Sequence, residues 1–182
     1  MELNSLQHVK AIKERYDAFE RFLLQNGQLL AKETKHGFWG VSHIETLHEL
    51  FQQIELQKHA HLLDLGSGDG RVCIVASLFG VKATGIECDD WLTNTALDMK
   101  RKLGIQTGES VTFLNKNFMN HTIRTYDIIY VSPDKPFHRG LEQKLKKELN
   151  GKLIVHGYEF HPKSLSLEKE LMIHGEKFQI YI

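Results

Sequence analysis

The residue types and spacing that could do chemistry stand in one glycine-rich segment, Asp64-Leu65-Gly66-Ser67-Gly68-Asp69-Gly70-Arg71. Glycine at every second position lets the backbone take unusual dihedrals and lets a ligand approach it with no Cβ in the way. The spacing is not the G-x-G-x-x-G fingerprint that seats a pyrophosphate, and no Gly-Lys-Ser/Thr sequence follows to make a P-loop. The segment therefore predicts a binding loop, but not one for a dinucleotide or a nucleoside triphosphate.

Two carboxylates indicate which ligand this loop would hold. Asp64 opens the segment, where a carboxylate can meet a cationic group of the ligand. Glu87 stands 23 positions later, at the end of the next predicted strand, residues 82–87. A carboxylate in that place can accept both hydroxyls of a ribose. Together they favour an adenosine-bearing ligand that has no phosphates and carries an amino-acid portion.

The elements on either side of the glycine segment must position it. Residues 62–65 form a short apolar run, which is typical of a buried parallel strand, and residues 72–79 are compatible with a helix. Strand, glycine turn and helix in succession make the first half of a βαβ nucleotide-binding unit. The alternative is an ordinary tight turn in an unrelated α/β protein.

The octapeptide resembles the first motif of class I S-adenosylmethionine (SAM)-dependent methyltransferases, and Glu87 matches their second motif. The resemblance covers the chain from about residue 38 onward. It implies SAM as the cofactor and an α/β, Rossmann-like fold with a mostly parallel seven-stranded sheet, a C-terminal antiparallel hairpin and helices on both faces. The cofactor-binding residues expected on this basis are Trp39, Asp64, Gly66, Ser67, Gly68, Gly70, Glu87, Cys88, Asn117, Phe118 and Ser132.

Composition limits the other classes of function. The chain has 182 residues, enough for one domain with a sizeable core, and its 23 basic and 23 acidic residues give a net charge of zero. That balance predicts no stable nucleic-acid binding, although a local basic patch stays open. The two cysteines and 11 histidines show no metal-binding spacing, so we expect no metal.

Location is also inferred from composition. No apolar run approaches the ~20 residues of a membrane span, and the chain does not start with a secretory hydrophobic region. We therefore expect a cytoplasmic protein with reduced cysteines and no membrane association.

The N-terminal region, residues 1–30, is predicted to be an amphipathic helix ahead of a methyltransferase domain at 31–182. Its apolar stripe is Leu6, Val9, Ile12, Tyr16, Phe19 and Leu23. This helix either packs on its own domain or serves as a dimer contact or part of a substrate lid, so the chain is a monomer or a homodimer. A loop at 34–41 follows, and its Phe38 and Trp39 either fold over the cofactor or plug an apolar gap. Ser42 and Glu45 form a capping box that starts a helix to about residue 57.

The remaining elements alternate as this fold requires. We expect a helix at 89–103 capped by Asp89 or Asp90, strands at 111–114, 126–131 and 152–156, a helix to about 149, and a hairpin of 167–173 with 177–182. In class I methyltransferases the turn that corresponds to the one after strand 111–114 carries the polar residue that contacts the adenine amino group. Asn117 is the candidate for that contact and Phe118 for packing near the purine; plain turn chemistry is the alternative.

The acceptor is indicated by a second resemblance. Residues 144–151 and the segment His156-Gly157-Tyr158-Glu159-Phe160 look like a small group of single-domain protein-lysine methyltransferases, the archaeal broad-specificity enzymes and their mitochondrial relatives. Here Tyr158 stands where those enzymes have a histidine. The resemblance implies a protein lysine as partner. Methylation of a small molecule or of RNA is the alternative, and a non-catalytic SAM-binding protein is a third.

The catalytic residues follow from that second resemblance. Tyr130, Tyr158 and Phe160 would wall a lysine channel, since aromatic rings attract an alkylammonium group. Asp134 and Glu159 would orient the amine or accept its proton. The alternatives are core packing for the rings and a cap or surface position for Glu159.

Overall fold

The computed structural model describes residues 2–34, 37–104, 110–137 and 140–182. The helices are α1 (Glu2–Gln25), α2 (Ile44–Gln53), α3 (Arg71–Ser77), α4 (Asp90–Lys102) and α5 (Leu141–Glu148), with 3-10 turns at Leu56–Lys58 and Phe118–Asn120. The strands are β1 (Ala31–Glu33), β2 (Phe38–Gly40), β3 (His61–Leu65), β4 (Lys82–Glu87), β5 (Val111–Asn115), β6 (Ile128–Val131), β7 (Lys152–His156), β8 (Leu167–Ile173) and β9 (Glu176–Tyr181).

The main sheet has seven strands in the order β5-β4-β3-β6-β7-β9-β8. Strands β3 to β7 are parallel, and β9 pairs antiparallel with both β7 and β8. His174 and Gly175 both take positive φ, 48° and 82°, in the two-residue turn that joins β8 to β9. The predicted Rossmann-like sheet with its C-terminal antiparallel hairpin is confirmed.

The order of the strands determines where a ligand can bind. The chain starts the large sheet at its centre with β3, moves outward to β4 and β5, and then returns to place β6 on the other side of β3. Such a reversal opens a crevice at the carboxyl ends of the strands. Asp64 pairs in register with Gly85 of β4 on one side and with Tyr130 of β6 on the other, so the crevice opens just beyond these positions.

The two faces of the sheet are covered unequally. Buried residues of α1, α2, α3 and α4 pack on one face in a single apolar cluster. The opposite face is covered by Leu145 of α5 together with loop residues such as Ile123, Tyr126 and Phe137. The prediction of helices on both faces is confirmed, with four of the described helices on one side and one on the other.

Helix α1 packs along the first of these faces. Val9, Ile12, Tyr16 and Leu23 are buried as predicted, whereas Leu6, which we expected on the same stripe, is 64% exposed. None of the helices in the described part of the chain is both long enough and apolar enough to cross a membrane.

The region before β3 differs from the prediction. Part of the expected loop at 34–41 is strand β2, which pairs antiparallel with β1, Trp39 opposite Lys32; residues 35 and 36 lie outside the described residues. The capping box at Ser42 is wrong: His43 occupies the N-cap of α2 without a side-chain cap, and α2 ends at Gln53. The reason is tertiary, because the side chain of Ser42 bonds the hydroxyl of Tyr130 and Glu45 faces Lys13 (3.6 Å).

Polar side chains fix the ends of α4 and α5. Asp89 caps α4 by accepting the N–H of Leu92 at 3.0 Å, as predicted. In α5, Lys144 pairs with Glu148 at 3.2 Å. Glu142 Oε1 accepts the backbone N–H groups of residues 163 and 164, both at 2.6 Å. The carboxylate therefore fastens the segment before β8 to α5.

Candidate functional site

A cavity of about 350 Å³ lies at the carboxyl ends of β3, β4 and β6. Its size is that of a pocket for a small organic ligand. Most of the residues expected from the sequence line it: Trp39, Asp64, Gly66, Ser67, Gly68, Glu87, Cys88, Asn117, Phe118, Tyr130, Ser132 and Asp134. Parallel strands bring these positions together, although they are spread over nearly a hundred residues of the chain.

Four expected site residues lie outside the cavity lining: Gly70, Tyr158, Glu159 and Phe160. Tyr158 is 62% exposed, and its hydroxyl donates to the carbonyl of Gly175 at 2.6 Å. Glu159 is exposed, and Phe160 packs against the core on the α5 face. The structure therefore does not assemble the expected aromatic channel around this cavity, because the β8–β9 turn holds Tyr158 away; of its three rings only Tyr130 lines it.

Gly70 serves packing in this structure. It has a φ of +84°, and a Cβ there would lie 2.5 Å from Phe113 Cζ and 2.8 Å from Ala96 Cβ. We therefore expect Gly70→Ala to lower the free energy of unfolding by about 1–3 kcal/mol, as overpacked sites do. Urea denaturation measures this loss. SAM affinity under native conditions is expected to change little, and a large loss of affinity at normal stability would contradict the packing role.

Glu87 ties the end of β4 to the glycine loop. Its Oε2 accepts the N–H of Gly68 at 3.0 Å, and its Oε1 accepts those of Cys88 and Asp89 at 2.7 and 2.9 Å. Each carboxylate oxygen has two lone-pair sites, so Oε1 is saturated and Oε2 retains one site for a ligand hydroxyl. The side chain of Cys88 bonds the carbonyl of Lys116 at 3.3 Å and so joins β4 to the turn after β5.

Two polar atoms of the cavity wall are buried with no hydrogen-bond partner in the described part of the chain, Asp64 Oδ2 and Ser67 Oγ. Burial raises the pKa of the Asp64 carboxyl well above its ordinary value, and the charges of Glu87 and Asp69 raise it further. A cation placed beside Asp64 would restore its ionised form. These atoms therefore mark where a polar, positively charged part of a ligand fits.

The hairpin β1–β2 covers the glycine loop. Trp39 is 6% exposed, and its indole would lie 2.8 Å from a Cβ at Gly68. It packs edge-to-face on Trp91 with ring centroids 5.8 Å apart. Asp134, from the loop after β6, holds the same hairpin by accepting the N–H of Phe38 at 2.8 Å. Trp39 lies over the binding loop and is also buried in an apolar cluster with Leu23 and Leu92, whereas Phe38 is 58% exposed. Closure of Trp39 over the cofactor stays a prediction.

Asn117 caps a turn at the edge of the cavity, and its contact with adenine stays a prediction. It lines the cavity, and its Oδ1 also accepts the N–H of Met119 at 2.9 Å, which caps the 3-10 turn at Phe118–Asn120. The cap fixes the side chain, and the amide retains donor and acceptor capacity toward a ligand.

The sequence did not reveal a polar network that runs from the cavity wall to the protein surface. Tyr130 Oη lies 2.8 Å from His156 Nδ1, and His156 Nε2 lies 2.7 Å from Glu176 Oε2. His43 Nδ1 lies 2.8 Å from the other oxygen of Glu176. These residues belong to four separate segments, so no spacing along the chain indicates that they meet. Within the described residues no group of three His, Cys, Asp or Glu side chains could hold a metal ion.

Comparison with known proteins identifies the family. The model of the ANTKMT methyltransferase domain matches residues 64–169, more than half of the chain. The chain belongs to this family. It is therefore a SAM-dependent methyltransferase, and the expected cofactor and the resemblance to protein-lysine methyltransferases are confirmed. A comparison with curated protein sequences gives no match.

Solved structures of other methyltransferases share the fold. An RNA methyltransferase of Salinibacter ruber, in complex with S-adenosyl-L-homocysteine, is 19% identical with a TM-score of 0.63, over 78% of this chain and 92% of that one. The putative methyltransferase YhhF of Escherichia coli is 22% identical with a TM-score of 0.59, over 77% and 86%. A tRNA (uracil-54, C5)-methyltransferase of Pyrococcus abyssi is 15% identical with a TM-score of 0.60, over 80% and 45%.

The cavity of this ANTKMT-family methyltransferase fits SAM. The amino-acid part of SAM carries an ammonium group that suits Asp64 and polar atoms that suit Ser67, whose Oδ2 and Oγ are the two atoms of the described cavity wall left without partners. Its ribose offers two hydroxyls, and Glu87 presents a carboxylate from the end of β4. Gly68 has a φ of +53° and no Cβ, so a ligand can approach the backbone closely there.

Proposed function

We propose that this methyltransferase transfers the methyl group of SAM to the side-chain amine of a lysine in a protein. The family to which the chain belongs is one of protein-lysine methyltransferases. That membership supports the proposal at the level of the acceptor class.

The charge of the cavity lining is the observation that carries the proposal. Four carboxylates line the cavity, those of Asp64, Asp69, Glu87 and Asp134, against two cations, Arg71 and Lys135. Arg71 is neutralised by Asp69, whose Oδ2 lies 2.6 Å from Nη2, and Lys135 Nζ lies 3.4 Å from Asp134. Both cations of the described lining therefore face carboxylates, so the lining offers a phosphate backbone little attraction, and the carboxylate of Asp134 lies on the acceptor side where it can face a lysine ammonium group.

We assign the cofactor side of the cavity as follows. Asp64, Ser67 and the backbone at Gly66 and Gly68 would hold the amino-acid part of SAM. Glu87 would accept the ribose hydroxyls, and the turn that carries Asn117 and Phe118, with Cys88 behind it, would receive the adenine. Trp39 would close over the glycine loop. The support for this assignment is that all of these residues line one cavity.

The acceptor side is left to Tyr130, Ser132 and Asp134, which line the cavity from β6 and the loop after it. When bound, SAM supplies an electrophilic methyl group on a sulfonium. The protein must then align the acceptor nitrogen with that methyl group, at about 3–3.5 Å, and exclude water. The nitrogen must also lose a proton, because only the free amine has a lone pair. Tyr158, Glu159 and Phe160 stay predictions for contacts with the acceptor outside the cavity.

RNA is the second candidate acceptor. The methyltransferases of Salinibacter ruber and Pyrococcus abyssi act on RNA and tRNA. They are only 19% and 15% identical to this chain, so the similarity shows a common fold and not a common substrate. A small-molecule acceptor is a further alternative. The cytoplasmic location, the monomeric or homodimeric state and the lack of stable nucleic-acid binding stay predictions from the sequence.

The acceptor class can be tested with SAM that carries a labelled methyl group. The enzyme is incubated with this SAM and an extract of cells that lack the protein, and the protein, RNA and small-molecule fractions are then separated. We expect label in the protein fraction, recovered as methyl-lysine after hydrolysis. The Gly68→Arg variant serves as the control for methyl transfer by other enzymes in the extract. Label in RNA or in small molecules would retire the lysine proposal and leave the SAM site in place.

A further inference from the structure

Methylation of a lysine requires a destination for a proton. The lysine ammonium group has a reference pKa of ~10.4, so near neutral pH the acceptor arrives in its protonated form. Asp134, the carboxylate on the acceptor side of the cavity, already accepts the N–H of Phe38 at 2.8 Å and faces Lys135 at 3.4 Å. The other polar group on that side with a partner that can take up a proton is the hydroxyl of Tyr130, which leads to His156.

We propose that the imidazole of His156 takes up the proton released by the acceptor amine, through the hydroxyl of Tyr130, and that Glu176 holds this imidazole in position. This inference rests on the proposed function, since it requires an amine as the acceptor. Tyr130 is the member that reaches the cavity; His156 and Glu176 act through it and are positioning residues.

The hydrogen bonds define the direction of transfer. A carboxylate can only accept, so Glu176 requires a proton on His156 Nε2, 2.7 Å away. In the neutral imidazole Nδ1 is then free to accept, and it lies 2.8 Å from Tyr130 Oη. The hydroxyl therefore donates to His156, and since Ser42 occupies one of its oxygen lone pairs, the other is the one that can accept from the acceptor amine.

The ionisation states of the two outer groups agree with this direction. Burial raises the pKa of the Tyr130 hydroxyl well above its ordinary value, and the charge of Asp64 raises it further, so Tyr130 stays protonated. Burial raises the pKa of the Glu176 carboxyl, but the hydrogen bonds from His156 and His43 outweigh it and lower that pKa to about 2. Glu176 is thus an anion throughout the working pH range.

The proton transfer balances without any other reactant. One N–H bond of the ammonium breaks, its electron pair stays on nitrogen as the lone pair, and the proton passes to Tyr130 Oη. The former hydroxyl proton of Tyr130 moves to His156 Nδ1, so the tyrosine is unchanged and the imidazole becomes an imidazolium. Its positive charge faces the carboxylate of Glu176 at 2.7 Å.

Other titratable groups surround this relay. Phe178 of β9 stacks on the ring of His156 with centroids 4.4 Å apart and carries no charge. In the described part of the chain, four titratable groups belong to the relay or face it directly: Asp64 of β3, Tyr130 of β6, Glu176 of β9 and His43 ahead of α2. Two more face it through Thr46, namely His174 of the β8–β9 turn and Glu49 of α2. His43 is 71% exposed and gives the network an end in solvent.

The relay predicts a specific pH behaviour for His156→Gln, which retains an amide N–H for Glu176 but has no group to take up a proton. We expect its kcat at neutral pH to fall about 100-fold or more, as on loss of general base catalysis. Its rate should then rise by about tenfold per pH unit, with the fraction of free amine, where the unaltered enzyme levels off. Rates are measured with the acceptor protein fraction that the labelling experiment identifies. The SAM affinity of the variant, measured by calorimetry, should be unchanged.

A second measurement does not depend on activity. The side-chain ¹⁵N signals of His156 in the free protein should show a protonated Nε2 and a bare Nδ1, and Glu176→Gln should disturb this tautomer. His121→Gln is the matched control, because His121 bonds the hydroxyl of Tyr126 at the same distance of 2.8 Å and neither residue lines the cavity. That variant should retain the pH profile of the unaltered enzyme.

Three outcomes would overturn the relay. A protonated Nδ1 in the free protein contradicts the direction of transfer. An unaltered pH profile in both His156→Gln and Tyr130→Phe, with methyl-lysine still formed, removes the relay and leaves the proposed function standing. If Asp134→Asn, and not His156→Gln, removes the levelling-off of the rate at higher pH, the carboxylate of Asp134 takes up the proton. Absence of methyl-lysine altogether is the separate failure of the lysine proposal and withdraws the relay with it.

Discussion

Replacing Gly68 by arginine is expected to weaken SAM binding by more than about 100-fold, equivalent to ~2.7 kcal/mol. Gly68 has a φ of +53°, and a Cβ at this position would lie 2.8 Å from Trp39 Cδ1. A long side chain would fill the backbone approach to the cavity and displace the indole that covers it. Calorimetric titration with S-adenosyl-L-homocysteine measures the loss.

The control for Gly68→Arg must reproduce its backbone strain away from the cavity. Gly80, in the turn between α3 and β4, has a φ of +77° and open space around a Cβ. Gly80→Arg should therefore show a similar loss of stability from the positive φ, about 1–2 kcal/mol, and bind SAM normally. Equal loss of affinity in both variants would mean that strain, and not the position of Gly68, is responsible.

Replacing Arg71 by alanine is expected to destabilise the protein by about 3–5 kcal/mol, the cost of leaving a buried charge without its partner. The Arg71 side chain is 5% exposed. Its guanidinium binds Asp69 through Nε at 3.0 Å and Nη2 at 2.6 Å, Glu20 at 2.9 Å, and the carbonyl of Ser42 at 2.8 Å. It also lies 4.6 Å from the centre of the Tyr16 ring. Guanidinium chloride unfolding measures the change.

Arg101→Ala is the matched control. Arg101 is 78% exposed and pairs with Asp98 on the surface of α4, so its removal should change the free energy of unfolding by no more than about 0.5 kcal/mol. Arg71→Ala should also lower SAM affinity, because Arg71 holds Asp69 and Asp69 belongs to the glycine loop. A change in stability no larger than that of Arg101→Ala would refute the view that Arg71 fastens α1 to this loop.

The contrast between Gly68 and Gly70 shows what a motif does and does not specify. The sequence presents both as parts of one ligand-binding pattern. In the structure the Cβ position of Gly68 points at the cover of the cavity, whereas that of Gly70 points at Phe113 and Ala96. Two residues further along the same loop, the backbone has turned toward the helix layer. The neighbours of each glycine come from β2, α4 and β5, and local sequence carries no information about them.

The acceptor side was the least predictable part of the site. Tyr158, Glu159 and Phe160 were expected there from a resemblance, yet the chain after β7 turns away from the cavity and Tyr158 bonds the β8–β9 turn. Tyr130 was expected as an aromatic wall, and it does line the cavity. Its hydroxyl, however, bonds His156, a partner 26 residues away that no periodic pattern connects to it.

The sequence by itself determined the parallel sheet, the glycine loop and the position of Glu87 beside it. Apolar runs and glycine turns are local signals, and parallel strands bring their carboxyl ends to one edge, so these features need no knowledge of distant contacts. Only the tertiary structure decided that Trp39 covers Gly68, that Arg71 joins α1 to the loop, and that Tyr130 reaches His156 and Glu176. Each of these contacts joins polar or aromatic groups from separate elements, and their partners are selected by packing and by the need to satisfy buried polar atoms.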